Sequence, residues 1–433
     1  MKERLLKLAE HQAEQAEVFS VETDRSEVEF RQGKLYSQGT QLTKGWGVRV
    51  IKEGRVGFAS SSNPQRLREV VEVALASAAY GKAARFDFPG PVEPPVVNIF
   101  ENKVMLVSAS RMAEWGRDLI DALAARTPEL KLDVNFSRVY REIGVSNSRG
   151  LDVSFERAEL QMIVSGMLVD EGIYQFNDYV NLSDAKPFPF DTVVTRMERF
   201  VRMAKRRARL KTGEYPVIVT PLALGELLLP LRIAVDGKQR EKKTSPLIGK
   251  EGQRVLSEKI TLIDNRLRPF GLESAPIDDE GMPARQNVLF ERGVFSGFLF
   301  DIATAAACGM ASTGSAVRGY AGPPRPGISN LELVPGNADL EDVMSEIEEG
   351  LLVYGFIGGG MSNIIAGEVT LNVSCGFKIE KGAVAGRVKE VCINGNVYEM
   401  FQHVQAVGRT QRDLGDAFLP FVSFSTLKLT AQD

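Results

Sequence analysis

Histidine and cysteine supply most of the metal ligands and nucleophiles of hydrolytic enzymes, and this chain of 433 residues holds few of either. Its two histidines, His11 and His403, stand near opposite ends of the sequence, which excludes a local His-x-x-x-His metal site. The three cysteines, Cys308, Cys375 and Cys392, form no Cys-x-x-Cys pair. Such spacing is typical of reduced thiols inside a cell, and we interpret all three as buried small residues.

Two other segments could carry chemistry. The acidic run Asp278 to Glu280 could bind a hard cation or serve as an acid and base pair, although an acidic run beside a glycine also fits a solvated turn. The glycine-rich stretch 355–363 could bring backbone N–H groups close to a ligand or form a structural turn. No Gly-x-Ser-x-Gly elbow, Walker loop or Rossmann glycine fingerprint is present, so those classes of enzyme are set aside.

The overall composition is that of an ordinary globular protein. Hydrophobic residues make up 44% and charged residues 25%, and 53 basic against 56 acidic side chains give a net charge of -3. No global field therefore attracts nucleic acid or a membrane surface. Charges among the first 16 residues do not fit a signal peptide, and the most apolar stretch, 222–235, is too short and too interrupted to span a bilayer. We expect a cytoplasmic protein.

The elements that must position these residues fall into two similar units and a larger third part. Each of the first two units shows an amphipathic helix, alternating strands with a hairpin, and a closing helix. This repetition predicts a degenerate duplication. The clearest helix is a stripe over 67–78 behind the cap Asn63 and a first-turn proline, and clear turns fall at Gln32-Gly33 and at 52–54.

From Tyr215 onward glycine is frequent and short apolar runs alternate with turns, which indicates a large, mainly antiparallel β domain. One helix is clear there, with Asn337 as its cap and Gly350 as its end. The predicted fold class is α+β. The predicted domains are a first α+β unit at 1–85, a proline-rich stiff linker at 86–106, a second α+β unit at 107–211 and a β domain at 212–433.

The closing helix of the second unit, predicted over 191–210, is basic. Eight lysines and arginines lie between Arg196 and Lys211, with Glu198 as the only acid among them. Such a stretch could meet a nucleic-acid backbone or an acidic partner. The helix also has an apolar face and no aromatic stacking residues between its cations, so we favour a solvent-facing side of an amphipathic helix.

Five motifs occur in order in the carboxyl-terminal half, and together they resemble the TldD/PmbA family, the so-called modulators of DNA gyrase. They are TSPLIGK at 244–250, IDDEGMP at 277–283, GVFSGFLFD at 293–301, STGSAVR at 312–318 and GGG at 358–360. The amino-terminal VEFRQGKL at 28–35 is similar to the first domain of that family. The resemblance covers nearly the whole chain.

The resemblance implies a role that depends on one missing motif. In the TldD branch, His-Glu-x-x-x-His on a helix just before the Thr-Ser segment binds zinc, and a cysteine near the carboxyl terminus completes the site. Here the corresponding segment, 221–235, has no histidine and Glu226 as its only acid, and the last 40 residues contain no cysteine. The chain therefore resembles the PmbA (TldE) branch, which implies a noncatalytic subunit without a cofactor of its own.

Such a subunit is expected to pair with a TldD-type zinc peptidase in a cytosolic complex that degrades or processes small unfolded peptides. The resemblance implies no catalytic and no metal residue here. The candidate residues of a substrate tunnel are Asp278, Asp279, Glu280, Arg318, Gly359 and Asn363.

Two alternatives stay open. The chain could be a homodimeric peptidase with an unrecognised metal site, built from Cys308, Cys375, Cys392, His403 or the acids 278–280. It could also be a modulator that binds DNA or a topoisomerase through its basic stretch, as the family's historical name suggests. The net charge of -3 speaks against strong binding of nucleic acid.

Overall fold

A computed structural model describes residues 1–170, 173–184, 186–357 and 363–431. The amino-terminal half contains helices α1 (Lys2–Glu10), α2 (Leu67–Ala78), α3 (Ala109–Arg126) and α4 (Phe190–Ala204) and strands β1 (Gln15–Arg31), β2 (Lys34–Lys52), β3 (Arg55–Ser61), β4 (Lys131–Asn147), β5 (Asp152–Val169) and β6 (Ile173–Leu182). Short 3-10 helices lie at Pro64–Arg66 and Asn102–Leu106.

The remaining elements are shorter. The helices are α5 (Pro221–Leu227), α6 (Leu229–Ala234), α7 (Gly237–Glu241), α8 (Ile302–Cys308), α9 (Leu340–Ser345) and α10 (Val397–Met400). The strands are β7 (Gly213–Val219), β8 (Leu262–Asn265), β9 (Gln286–Glu291), β10 (Val294–Phe295), β11 (Ala316–Val317), β12 (Arg325–Pro326), β13 (Leu331–Leu333), β14 (Glu349–Ile357), β15 (Glu368–Glu380), β16 (Ala383–Arg387), β17 (Val391–Asn396), β18 (Val404–Val407), β19 (Arg412–Asp413), β20 (Ala417–Leu419) and β21 (Val422–Ala431).

The predicted α+β class is confirmed, and the two amino-terminal units share one antiparallel sheet. Its strand order is β3-β2-β1-β4-β5-β6, so three strands from each unit meet at the β1–β4 pair. The predicted turns also form, because Gln32, Gly33, Glu53 and Gly54 all have positive φ, as tight hairpins require. The order helix, three strands, helix thus occurs twice around the middle of one sheet.

The strands are longer than their alternation indicates. Strand β1 begins at Gln15, eleven residues before the alternating pattern that starts at Ser26. The reason is burial on both faces, since residues 16–19 are all buried and no polar face marks the strand. Helix α2, in contrast, spans the predicted 67–78, and the side chain of Asn63 caps the 3-10 turn before it.

Three sheets form the carboxyl-terminal half. One has the path β14-β7-β21-β17-β15-β16 with β18 beside β21, the second has the order β10-β9-β8-β13-β20-β19, and the third pairs β11 with β12. The pairing is mainly antiparallel as predicted, with parallel pairs at β7–β14 and β13–β20. The helix predicted between Asn337 and Gly350 is shorter, because Asp339 caps α9 and residues 349–357 form β14.

The stretch 86–106, predicted as a stiff connector, has little regular structure but is anchored to the first sheet. Phe88 is fully buried, its backbone N–H donates to Gln15 Oε1 at 2.8 Å, and its carbonyl accepts from Arg149 Nη1 at 2.9 Å. A proline-rich segment needs such side-chain partners because it lacks a hydrogen-bonded ladder. The domain limits 1–85, 107–211 and 212–433 remain predictions.

The two halves of the molecule pack against each other through shared hydrophobic clusters. One cluster of buried side chains joins α3, α4 and the first sheet to Ile218, Leu352 and Phe377 of the carboxyl-terminal half, and a smaller one joins Phe19 and Ile143 to Ile277. Within the described ranges no helix combines the length and apolar character needed to cross a membrane.

Candidate functional site

The acidic run Asp278 to Glu280 is an interior turn, so its interpretation as a solvated turn is wrong. Asp278 and Glu280 have no exposed surface. Asp278 Oδ1 accepts the backbone N–H groups of Glu280 and Met282 at 2.9 Å each, and its Oδ2 accepts that of Ala316 at 3.0 Å. A buried carboxylate that accepts three backbone donors fixes local geometry, and here it holds the turn against β11.

Glu280 extends this turn into an ion-pair network with the first sheet. Its Oε1 lies 2.6 Å from Arg49 Nη1, and its Oε2 accepts the backbone N–H of Ile302 at 2.7 Å. Arg49 Nη2 donates in turn to Glu17 Oε2 at 2.9 Å. The side chains of Arg49, Glu17 and Glu280 are all almost wholly buried. We call Glu17, Arg49, Glu280 and Arg318 the junction network, because it ties β1 and β2 to the carboxyl-terminal half.

Arg318 is the fourth member of the junction network. Its backbone N–H donates to Asp279 Oδ2 at 2.7 Å, and its guanidinium lies 4.4 Å from the centre of the Phe19 ring. Its Nη1 forms an ion pair with Glu17 Oε1 at 2.8 Å, and its Nε and Nη2 have no hydrogen-bond partner among the described residues. The charge of Arg318 is thus compensated by Glu17, while its Nε and Nη2 donors stay without an acceptor.

The structure brings together four of the six candidate tunnel residues. Asp278, Asp279, Glu280 and Arg318 share the contacts given above, whereas Gly359 lies outside the described residues. Asn363 is exposed, bridges to Glu368 at the start of β15, and shares no hydrogen bond with the other four. Whether any of the six lines a substrate tunnel remains a prediction.

Burial and neighbouring charge act in opposite directions on these carboxyl groups. Burial raises the pKa of Asp278, of Asp279 and of Glu280. Burial also raises the pKa of Glu17, but Arg318 and Arg49 outweigh it and bring that pKa below its usual value. Glu17 is therefore the firm anion of the junction network, while Glu280 is the member whose charge is most sensitive to pH.

A cavity of about 370 Å³ opens beside Arg318, between β1, β4 and β5 and the carboxyl-terminal half. Five arginines line it, together with two carboxylates and several apolar side chains: Arg141, Arg157, Arg266, Arg318 and Arg325, with Glu273 and Asp279, and with Phe19, Val21, Ile143, Phe155, Ala275 and Val317. We call it the arginine cavity. The sequence gives no signal for it, because its arginines come from segments that only the tertiary structure brings together.

The segment that corresponds to the zinc helix of the TldD branch forms two short helices, α5 and α6. Ala223, Leu224, Leu231 and Ala234 have no exposed surface, so its inward positions hold aliphatic side chains. Its only acid, Glu226, borders a cavity of about 120 Å³, and burial raises its pKa. One carboxyl group does not make a zinc site, which needs at least three protein ligands. The residues of this segment do not fit zinc.

The cysteines and histidines do not supply the missing ligands in the part of the chain described. Across those residues, no group of three or more His, Cys, Asp or Glu side chains is arranged to hold a metal ion. The cysteines are free thiols, as expected, but only Cys375 is buried. Cys308 ends α8 and Cys392 donates from Sγ to Asn372 Oδ1 at 2.7 Å, both partly exposed.

Half of the cations of the basic stretch are paired with carboxylates of the same chain. Helix α4 ends at Ala204, short of the predicted 210. Four of the eight cations form ion pairs: Arg196 with Asp178 at 2.7 Å, Arg199 with Glu341 at 2.7 Å, Lys205 with Glu129 at 3.2 Å and Arg207 with Asp170 at 2.7 Å. These pairs favour a structural role for the stretch over a phosphate-binding surface.

An α+β chain with two symmetric amino-terminal units and a β-rich carboxyl-terminal half is the architecture of a peptidase-related family. The family model described as "PmbA/TldA metallopeptidase C-terminal domain" matches residues 212–431, and "PmbA/TldA metallopeptidase domain 1" matches residues 16–78. The chain belongs to the PmbA/TldD family, as its motifs indicate.

Individual relatives agree with that assignment. The crystal structure of TldE from Thermococcus kodakarensis superposes with a TM-score of 0.93 at 27% identity and covers 99% of both chains. The metalloprotease PmbA of Escherichia coli O157:H7 is 24% identical over 96% of this chain and 93% of its own length. A metalloprotease TldD homologue of Haemophilus influenzae is 24% identical over 92% of this chain and 86% of its own length.

Proposed function

We propose that this chain is the noncatalytic, TldE-like subunit of a cytosolic peptidase complex. Its partner is a TldD-type subunit that binds zinc, and its substrates are small unfolded peptides. The observation that carries the proposal is the α5–α6 segment. In a chain that keeps the family fold over nearly its whole length, the segment expected to bind zinc has no histidine and buries aliphatic side chains instead.

The remaining acid of that segment does not replace the missing chemistry. In a zinc peptidase the glutamate acts as general base on a water whose pKa the bound metal lowers. Glu226 is an exposed residue, has no metal-ligand group around it among the described residues, and has a pKa that partial desolvation of its carboxyl group raises. In our proposal this chain supports the fold of the complex and the path of the peptide, and the partner supplies the zinc.

The first test measures zinc and cleavage with and without the partner. The isolated chain is expected to bind less than about 0.1 zinc per molecule by mass spectrometry, because it lacks three ligands. It should cleave unfolded peptides only when co-purified with a TldD-type chain carrying His-Glu-x-x-x-His. One zinc per isolated chain, or cleavage by the isolated chain, would contradict the proposal and favour the homodimeric alternative.

A second measurement asks whether Glu226 acts in catalysis. The change Glu226→Gln keeps the shape of the side chain and removes its charge. The complex should keep its rate of cleavage within about twofold, since this carboxyl group touches no reacting atom in our proposal. The matched change in the glutamate of the partner's His-Glu-x-x-x-His motif should abolish cleavage. A loss of about 100-fold or more in Glu226→Gln would make this residue a general base.

A further inference from the structure

The arginine cavity is a further candidate for ligand binding, and its charge is the first reason. Its lining holds five arginines and two carboxylates. From outside the lining, Glu159 and Glu17 pair with Arg141 and Arg318. Asp264 and Asp278 act on the charge of Arg266, and Asp236 acts on that of Arg325, without forming ion pairs. Neither Arg266 nor Arg325 forms an ion pair with any described residue.

Unused hydrogen-bond donors are the second reason. The side chain of Arg318 is 1% exposed, and its Nε and Nη2 lack an acceptor among the described residues, while its Nη1 faces Glu17. The Nε atoms of Arg157 and Arg266 also lack one. A buried donor without an acceptor costs about 1–3 kcal/mol, and more when it is charged. The cavity therefore holds several buried donors suited to an anion that can accept hydrogen bonds.

Strand register adds a third, independent reason. Arg141 on β4 lies directly opposite Arg157 on β5 in the antiparallel ladder. Like charges at opposed positions destabilise a strand pair. Glu159 and Glu273 each compensate one of the two arginines, at 3.2 Å and 2.8 Å. Arg157 Nη1 also donates to the carbonyl of Leu272 at 3.1 Å, so in both arginines Nη1 makes these contacts and the other nitrogens stay available for a further acceptor.

The apolar part of the lining selects the kind of anion. Phe19, Val21, Ile143, Phe155 and Val317 stand beside the guanidinium groups, so one ligand would meet both charge and apolar surface. A volume of about 370 Å³ lies at the small end of ligand pockets. Gly319 and Arg325 are exposed, so the cavity reaches the molecular surface at that side.

We propose that the arginine cavity binds a small organic carboxylate that carries an apolar group. Arginine forks bind carboxylates through two parallel hydrogen bonds, and the aromatic and aliphatic wall would receive the apolar group. Two sources share this chemistry: the carboxyl-terminal residue of a short peptide, and a free hydrophobic carboxylic acid. Only the choice of a peptide rests on the proposed function, since binding itself requires neither zinc nor the partner.

Calorimetric titration of the isolated chain tests the proposal. The probes are the tripeptide Ala-Ala-Phe with a free carboxyl terminus, its carboxyl-terminal amide, N-acetylphenylalanine and inorganic phosphate. The free acid should bind at least about tenfold more tightly than the amide and than phosphate. Equal binding of acid and amide, or no binding of any carboxylate, would overturn the proposal. N-acetylphenylalanine that binds as tightly as the tripeptide would support the site with a free acid as its ligand.

Two arginine variants locate the binding. Arg325→Gln removes an exposed arginine without an ion pair, so it should fold normally and weaken binding of the free acid about tenfold. Arg141→Gln, at a partly buried position on β4, should weaken it similarly. The matched control is Arg254→Gln, an exposed arginine that lines a different cavity of about 560 Å³, which should leave the affinity within about twofold. Unchanged binding in both cavity variants, with melting temperatures like the parent's, would refute the site.

Because these measurements use the isolated chain, their failure is distinct from failure of the proposed subunit role. A chain that binds no carboxylate could still support a zinc-dependent partner. Conversely, a chain that cleaves peptides alone could still bind their carboxyl termini in this cavity.

Discussion

The inward side chains of the α5–α6 segment and the side chains of the junction network are both buried, yet the first are aliphatic and the second are charged. Leu224 and Leu231 in the first region and Glu17 and Glu280 in the second all have no exposed surface. Aliphatic burial stabilises without directional demands, whereas buried charges stabilise only when every partner is present. The inward face of the α5–α6 segment is thus apolar core, while the buried charges of the junction network lie where the two halves of the molecule meet.

The sharpest way to break this contrast is to remove the cation of the junction network. Arg49→Met keeps most of the side-chain volume but leaves Glu17 without one partner and Glu280 without the one ion-pair partner it has among the described residues. We expect the free energy of unfolding to fall by about 3–5 kcal/mol, because breaking a buried pair strands a charge. Urea unfolding followed by circular dichroism measures the loss.

The control for Arg49→Met is Arg66→Met, which removes an exposed arginine paired with Glu69 in α2. An exposed pair contributes little, so this variant should unfold close to the parent. Equal losses in the two variants would mean that the junction network adds no more than a surface ion pair.

The apolar region should respond to volume and not to charge. Leu224→Ala in α5 deletes a fully buried side chain and should cost about 2–5 kcal/mol through lost transfer energy and the cavity left behind. Leu229→Ala in α6 is the matched control, since that leucine is 37% exposed and should cost clearly less. Both midpoints come from the same urea unfolding. A mild effect of Leu224→Ala would show that this segment is not core.

A smaller effect separates the two regions by pH. The folded pKa of Glu280 is raised by burial, so its contribution to stability is full below its unfolded pKa and is lost as pH rises through the folded value. In the Glu280→Gln variant the side chain at this position cannot ionise. The melting temperature of this variant should therefore fall less than that of the parent between about pH 5 and about pH 8. The remaining pH dependence should include Asp278, because burial raises the pKa of that carboxyl group too. The exposed Glu346→Gln should reproduce the parent profile, and a Glu280→Gln profile as steep as the parent's would contradict this assignment.

The sequence predicted the local elements best where independent signals, such as a hydrophobic stripe and a helix cap, pointed to the same element. The stripe over 67–78 and the cap at Asn63 placed α2, and the glycine turns placed both hairpins of the first unit. It failed where burial removes the pattern, as at the start of β1, and where two caps compete, as with Asn337 and Asp339 before α9. Residue type alone pointed to the candidate acids at 278–280, but the sequence predicted neither their burial nor their partners.

What the sequence alone determined is the lack of zinc chemistry in one segment. Ligands are a matter of residue type, and no fold can add a histidine to 221–235. What only the tertiary structure decided is where the buried charges meet. Arg49 and Glu280 are 231 positions apart, and Arg141 faces Arg157 only through the register of β4 and β5. Pairing of distant residues depends on strand register and on packing between halves of the molecule, which local patterns do not encode.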